Sequence, residues 1–424
     1  MRIAYLNSSG RMGGAETSLR ELLASVRVAE PAWELWLVLG EDGPLAGIAR
    51  DMGVRVIVAP FPPSLARLGD AGRHPLAAIW SLMKAARETR RYTRRLRGIL
   101  AEIEPAIIHT NGLKMHLLGC WTKPAKAKLA WHIHDYVGMR ALMKWLLRLH
   151  QAKCAAAIAN SKSVAADTRT VLPGLFVETI YNAIDLEKFS PMGPRIDLDQ
   201  VSGLPAAQPG TLRVGLVSTF ARWKGQGVFL KALALLPEEI RGYIIGGPIY
   251  QTDGSQWSVE ELRDEAGRLG LADRVGFTGF VTDTAGAMRS LDVIVHASTQ
   301  PEPFGMVIIE GMACGKAVVA SAGGGATELF ADGENALGHP PGDAASLAER
   351  IATLSRDAEL RNRLGKSARR AVEDAFDRKR LARELLFFYK RMCGGLGEAV
   401  GTAISSSPGE SPLGGQVRET CTRP

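Results

Sequence analysis

Two carboxylates, Glu302 and Glu310, flank the stretch Pro303-Phe304-Gly305-Met306-Val307-Ile308-Ile309. The apolar run before them, Val293-Ile294-Val295, reads as a buried strand, and Val307–Ala313, which takes in Glu310, reads as a helix. That places Glu302 in a strand-to-helix loop and Glu310 about two turns inside the helix. Backbone amides near Gly305 and Met306 then stand at a helix start, where unpaired N–H groups and the helix dipole attract phosphate. A carboxylate further along accepts two hydrogen bonds from a sugar diol. Diphosphate on the amides and ribose hydroxyls on Glu310 is the chemistry of a nucleotide sugar. The ordinary alternative is a pair of solvated surface charges. Against it, Glu310 is flanked by Ile308, Ile309 and Met312, and a glycine-rich loop, Gly323-Gly324-Gly325, follows the next apolar run and precedes Glu328.

A Glu, seven residues and a second Glu is the mark of the retaining glycosyltransferases of family 4. The sequence resembles that family through Glu302, Phe304, Gly305 and Glu310 and, less tightly, over residues 1 to 392. After the first strand comes Gly10-Arg11-Met12-Gly13-Gly14-Ala15-Glu16, with a helix expected from about Thr17. On glycines alone this is a tight turn. Its Gly-Gly-Ala-Glu wording is similar to the first loop of the family, which implies that Gly13 and Gly14 lie near the donor diphosphate and the acceptor. Ala130-Trp131-His132-Ile133-His134-Asp135 ends another strand. The family commonly carries a His there beside the transferred sugar; His134 matches best, and His132 stays open.

In the second half, Thr219-Phe220-Ala221-Arg222-Trp223-Lys224-Gly225 matches the family's Lys-Gly at Lys224, but its usual arginine position falls on Thr219. Arg222 is the candidate substitute. Cations near a dianionic leaving group are chemically needed when no metal is present. Gly279-Phe280-Val281 resembles the loop that holds the nucleotide base. The resemblance implies transfer with retention from a nucleotide diphosphate sugar, of hexosyl-transfer type and without a metal. Glu302 then touches the sugar, Glu310 clamps the ribose, and amides around Gly305, Met306 and Val307 assist at the diphosphate. A nucleotide-sugar epimerase and an inactive scaffold of the same fold are the alternatives.

The elements that must position these residues are α/β units. At 424 residues the chain suggests two domains. Apolar runs alternate with helix-length segments throughout, which argues parallel sheets. The expected fold class is α/β in the GT-B architecture: two Rossmann-like parallel-sheet domains facing a central cleft. The expected divisions are an acceptor-side domain over 1–190, a linker over 191–210, a nucleotide-sugar domain over 211–376, a helix over 377–395 that crosses back, and a disordered tail over 396–424. Asp197-Leu198-Asp199 reads as a chance sequence in the linker rather than a metal motif, because no strand ends there. No Cys or His spacing points to zinc.

Charge is unevenly placed. Residues 1–190 hold 26 Lys+Arg against 16 Asp+Glu, so +10, and the rest sum to −2. That asymmetry implies an anionic partner for the first half: nucleic acid is one candidate, and a membrane surface or lipid-phosphate acceptor is another. The family resemblance implies a lipid-linked or glycan acceptor and no nucleic acid. Trp80–Leu100 reads as a helix with Lys84, Arg87, Arg90, Arg91, Arg94, Arg95 and Arg97 opposite a packed side of Trp80, Met83, Tyr92, Leu96, Ile99 and Leu100. A second basic amphipathic segment is Arg140–Lys153. Both suit an anionic membrane or a solvated basic face. No apolar run is long enough to span a bilayer, and five scattered cysteines suggest a reducing cytoplasm.

Overall fold

Runs such as Ile3–Leu6 and Val293–Val295 are apolar at every position, which suits strands buried on both faces by crossover helices. The computed structural model describes residues 1–62, 75–248 and 254–394, without the side chains of 75–85. The expected tail over 396–424, Cys421, and the side chains of Trp80, Met83 and Lys84 lie outside the described residues. The chain divides into two units, Met1–Ala183 and Ile184–Asp377, and the helix Arg378–Gly394 returns to the first.

The first unit contains β1 (Arg2–Asn7), α1 (Gly14–Ala29), β2 (Glu34–Leu39), α2 (Pro44–Asp51), β3 (Arg55–Val58), α3 (Pro75–Ile103), β4 (Ile107–Asn111), α4 (Leu113–Thr122), β5 (Lys128–Ile133), α5 (Ala141–His150), β6 (Ala156–Ala159), α6 (Lys162–Val171) and β7 (Val177–Thr179). Its seven strands run parallel in the order β3-β2-β1-β4-β5-β6-β7. The second unit contains α7 (Leu198–Ser202), β8 (Leu212–Val217), α8 (Gln226–Ala234), β9 (Ile240–Ile245), α9 (Val259–Arg268), β10 (Val275–Gly279), α10 (Thr284–Arg289), β11 (Val293–His296), α11 (Met306–Ala313), β12 (Ala317–Ser321), β13 (Leu337–His339), α12 (Ala344–Arg356) and α13 (Ala358–Ala375). Its six strands follow the order β10-β9-β8-β11-β12-β13, also parallel. Arg378–Gly394 is α14. Every connection is a crossover, as parallel pairing requires.

Both strand orders reverse direction once, between β1 and β4 and between β8 and β11. Crevices open at the carboxyl ends of strands at such switch points. Asn7 and Asn111 end β1 and β4 in register. Val295 pairs with Leu216, so the segments after β8 and β11, which carry Lys224 and Glu302, leave the second sheet side by side. Topology therefore brings each set of candidate residues to one sheet edge.

Several expectations shift. The helix after the glycine loop starts at Gly14, not near Thr17. Glu310 lies one turn, not two, inside α11, because that helix begins at Met306. β13 has three residues, too short to register as an apolar run. The expected linker is part of the second unit. Asp197 caps α7 by accepting from the amides of Asp199 and Gln200, both at 3.1 Å. Asp199 is buried and accepts from Arg241 at 2.7 Å, Tyr243 at 2.6 Å, Arg213 at 2.6 Å and the Ala207 amide at 3.0 Å. Burial alone would raise its pKa; the bonds from Tyr243, Arg241 and Ala207 and the charge of Arg213 outweigh it and hold the carboxyl below its usual range. The acidic pair is thus a structural anchor, not a chance sequence.

Returning helix α14 closes the first unit. Arg378 Nε donates to the fully buried Glu21 at 2.6 Å, and Tyr389 packs beside Tyr5. On α3, Tyr92, Leu96 and Leu100 are buried while Arg90, Arg91, Arg94, Arg95 and Arg97 are exposed, as the periodicity predicts. Among the described residues no helix is long and apolar enough to cross a membrane, and four free cysteines are present, Cys120, Cys154, Cys314 and Cys393.

Replacing Asp199 with Ala leaves two arginines and a tyrosine without their acceptor. The expected loss of stability is about 3 kcal/mol in denaturant unfolding. An unchanged midpoint would show that the cluster contributes nothing.

Candidate functional site

In the second unit, the close approach of two loops builds the site. Gly225 has φ of +81°, and a Cβ there would lie 1.9 Å from the carbonyl oxygen of Ala297, just past β11. Only glycine allows this approach. It sets the preceding residue, Lys224, against the loop after β11. Lys224 Nζ donates to both carboxylate oxygens of Glu302, at 3.0 and 2.8 Å. Glu302 Oε2 also accepts from Ser298 Oγ at 2.7 Å and from His296 Nε2 at 3.1 Å. The Glu302 backbone is tied as well: its amide donates to the Gly323 carbonyl at 3.1 Å, and the Gly325 amide donates to its carbonyl at 2.7 Å. The loop Gly323-Gly324-Gly325 is thereby fastened to Glu302.

Glu302 is 6% exposed. Burial alone would push its pKa up. The Lys224 ammonium and the His296 hydrogen bond overcome that and hold the carboxyl far below the carboxylate range. An ionised carboxylate this fully engaged holds Lys224 in place; it is not available as a proton donor.

Gly305 caps α11 with φ of +105°, and α11 begins at the next residue. The amides of Met306 and Val307 belong to the first turn, which has no intrahelical acceptor for them. Glu310 is half-buried one turn on. Phe304 is buried, edge-on to Phe376 with centroids 6.1 Å apart, so it is a packing residue of the loop and not a ligand-facing one. Arg222 is directed elsewhere. Its guanidinium stacks on Trp257 at 4.0 Å and pairs with Glu261 at 2.6 Å. Phe280 is 63% exposed. Sequence reading missed His296 and Ser298. A polar pair at the carboxyl end of the buried strand β11 was the available signal.

In the first unit, His134 lies just past β5 and is half-buried. Its Nε2 bonds Asn111 Oδ1, and its ring lies 3.9 Å from that of His132. His132 Nδ1 faces His109 Nε2 at 3.2 Å, and His109 Nδ1 bonds Tyr389 at 2.8 Å. His116 bonds Thr110 at 2.7 Å and stacks on Trp131. Removal from water lowers all four imidazoles: His134 to about 4, His109 to about 3, and His116 and His132 well below the ordinary value. All four are neutral near pH 7. Of the two sequence candidates, His132 is enclosed and His134 is the accessible one. Gly13 precedes α1 in an extended conformation, and a Cβ on Gly14 meets nothing within 4 Å. Open space therefore stands over Gly14. Asn7, Asn111 and His109 were not singled out from the sequence. Among the described residues no group of three or more His, Cys, Asp or Glu is arranged to hold a metal.

The buried histidines fix a pH dependence. Unfolded, each takes a proton near 6.5; folded, His109, His116 and His132 refuse it until far lower pH. Their contribution is complete above pH 6.5 and is lost as pH falls. Each steepens the stability curve by about 1.4 kcal/mol per pH unit below that point. Denaturant midpoints at pH 7.5 and 5.5 should differ accordingly, and His116→Phe should flatten the slope by one proton. Equal midpoints would contradict neutral burial.

Comparison with known proteins gives the same architecture. The model for Glycosyl transferases group 1 matches residues 206–371, and that for Glycosyltransferase Family 4 matches residues 45–188. A D-inositol 3-phosphate glycosyltransferase of Xylanimonas cellulosilytica is 34% identical over 205 residues, covering 46% of each chain. A phosphatidyl-myo-inositol mannosyltransferase of Mycobacterium leprae is 33% identical over 207 residues, covering 46% of this chain and 51% of that one. The matches thus span about half the length of these curated relatives. The crystal structure of Anabaena HepE in complex with UDP and glucose superposes with a TM-score of 0.74, at 26% identity, over 92% of this chain and 99% of that one. Two parallel-sheet units, the clamped Glu302 and a family model matching each half leave one assignment: the chain belongs to the group 1, family 4 glycosyltransferases.

Proposed function

We propose that this chain is a retaining glycosyltransferase that moves a hexosyl group from a nucleotide diphosphate sugar to a hydroxyl of a glycan or lipid-linked acceptor, in polysaccharide or glycolipid synthesis. The observation that carries this reading is the Lys224–Glu302 pair beside the start of α11. It supplies a fixed cation and helix amides where the charge of a leaving diphosphate develops. The UDP and glucose held by HepE support a nucleoside diphosphate sugar as donor. The inositol and lipid mannosyl relatives support a glycolipid-type acceptor.

In this reading the bond from the anomeric carbon to the diphosphate oxygen breaks, and its electron pair leaves on that oxygen. The acceptor hydroxyl attacks from the same face, and its proton passes to the departing phosphate oxygen. Lys224 and the amides of Met306 and Val307 meet the leaving charge. Glu302 holds Lys224 in position at the sugar end of the donor. Glu310 accepts from the ribose hydroxyls. Arg222 contributes only on releasing Glu261, so Lys224 is assigned as the main cation. The room over Gly14 accommodates ligand, and His134 contacts the transferred sugar. No metal is assigned a role.

Glu310→Gln should weaken UDP binding by roughly 1–3 kcal/mol in calorimetry, since a charge-assisted hydrogen bond is lost. Transfer should survive exhaustive EDTA treatment. Unchanged UDP affinity would remove the ribose assignment, and Mg-rescued loss of activity would replace the metal-free mechanism.

A membrane surface is the second part of the proposal, and the exposed residues favour α5 over α3 as the element that meets it. Met139, Leu142, Trp145 and Leu149 are 62%, 57%, 58% and 60% exposed. Leu142, Trp145 and Leu149 recur at helical spacing on α5, among Arg140, Lys144 and Arg148. Exposed apolar residues with basic neighbours suit an anionic bilayer surface. On α3, among the described residues, Arg87, Arg90, Arg91, Arg94, Arg95 and Arg97 are exposed and no large apolar side chain is, which adds attraction without insertion. The full chain should co-sediment with phosphatidylglycerol vesicles and not with phosphatidylcholine vesicles. Each Lys or Arg near the surface adds about 1 kcal/mol, so binding should weaken with salt. Leu142→Ser with Trp145→Ser should reduce what remains at high salt. Equal binding to both vesicle types would end the anionic-surface reading.

A further inference from the structure

A chain of side-chain amides runs beneath His134, and its direction is determined. Asn7 Nδ2 lies 2.6 Å from the Ser9 carbonyl oxygen and 3.1 Å from Glu16 Oε1. Both partners accept there, so the Asn7 amide cannot be reversed. Its Oδ1 therefore faces Asn111, whose Nδ2 donates to it at 2.8 Å. Asn111 Oδ1 is then the atom turned to His134, and it bonds His134 Nε2. An oxygen that only accepts requires the proton on Nε2. Each step follows from the one before, starting at the Ser9 carbonyl, which can only accept.

We propose that Glu16, Asn7 and Asn111 form a one-way hydrogen-bond relay that holds His134 as its Nε2–H tautomer and leaves the Nδ1 lone pair to accept from a substrate hydroxyl. The use made of the lone pair rests on His134 facing the transferred sugar; the relay itself does not. Asn7, Glu16 and Asn111 are all buried, at 2%, 9% and 1% exposure, so water does not compete with the relay. Three different elements contribute: the end of β1, the first turn of α1 and the end of β4. The relay also gives the Gly13-Gly14-Ala15-Glu16 segment a function beyond its glycines. Because α1 begins at Gly14, Glu16 falls in the first turn, at the switch point of the first sheet. Raised by burial, Glu16 accepts from Asn7 in either protonation state, so the direction does not depend on its charge. The neutral state of His134 is consistent with a lone pair at Nδ1.

A histidine fixed in this way selects chemistry. An Nδ1 lone pair accepts from a hydroxyl but repels a carboxylate or carbonyl oxygen. The group presented to it must carry a proton, so a sugar hydroxyl fits and an oxidised, carboxylate-bearing position does not. Asn7, Asn111 and Glu16 are positioning residues; they act through His134.

The test is long-range nitrogen NMR on the full chain with labelled histidine, with the His134 signals assigned by their loss in His134→Ala. The expected spectrum is a neutral Nε2–H imidazole between pH 6 and 8. Asn111→Leu, which removes the acceptor, should give mixed tautomers, lower kcat about tenfold and leave UDP affinity unchanged. Glu16→Gln, which still offers an acceptor to Asn7, should retain the tautomer; Glu16→Leu should loosen it. An Nδ1–H tautomer in the native chain, or an unaltered spectrum in Asn111→Leu, would overturn the relay. The expected tautomer together with full activity in His134→Ala would uphold the relay and reject the sugar contact.

Discussion

Burying the Glu302 carboxylate demands a cation, and the second unit is arranged to supply one. A lone buried charge is costly, whereas a paired and hydrogen-bonded one is tolerated. Lys224 meets both carboxylate oxygens, and Ser298 and His296 also donate to Oε2. That requirement explains other features. Gly225 must be glycine so that the Lys224 loop can reach the end of β11. The backbone of Glu302 is fastened to the Gly323–Gly325 loop, which fixes the approach to α11. Phe304 anchors the same loop in the core against Phe376. The arrangement is a rigid frame around one ammonium group.

The first unit solves a different problem with neutral groups. Its switch point collects histidines, asparagines and a glutamate from β1, β4, β5 and α1, with Tyr389 from the returning helix. Removal from water keeps the histidines uncharged, and hydrogen bonds satisfy most of their nitrogens. Such a network is specific because each partner's orientation constrains the next. Charge does the positioning in one unit, and hydrogen-bond direction does it in the other.

Much of this was legible from residue order. The parallel sheets follow from apolar runs alternating with helix-length segments, and the runs Ala156–Ala159 and Leu212–Val217 match their strands residue for residue. The packed side of α3 follows from the spacing of Tyr92, Leu96 and Leu100. Glu302, Gly305 and Glu310 stood out through the Glu, seven residues, Glu pattern and Lys224 through Lys-Gly, because that wording resembles the family's; the spacing alone fits solvated surface charge as well. Less was legible where contacts are long-range. Asp199 looked like part of a linker because its partners Arg213 and Arg241 lie on β8 and β9. Arg222 looked like a donor ligand because its partner Glu261 lies on α9.

The sequence alone determined the α/β class with parallel sheets and suggested two units, because these depend on local periodicity and chain length. Tertiary structure decided which side chains work together. Lys224 meets Glu302 across 78 positions, and Asn111 meets Asn7 across 104. No local pattern encodes such pairs. They exist because a parallel sheet brings the carboxyl ends of distant strands to one edge, where burial favours the pairing of polar groups.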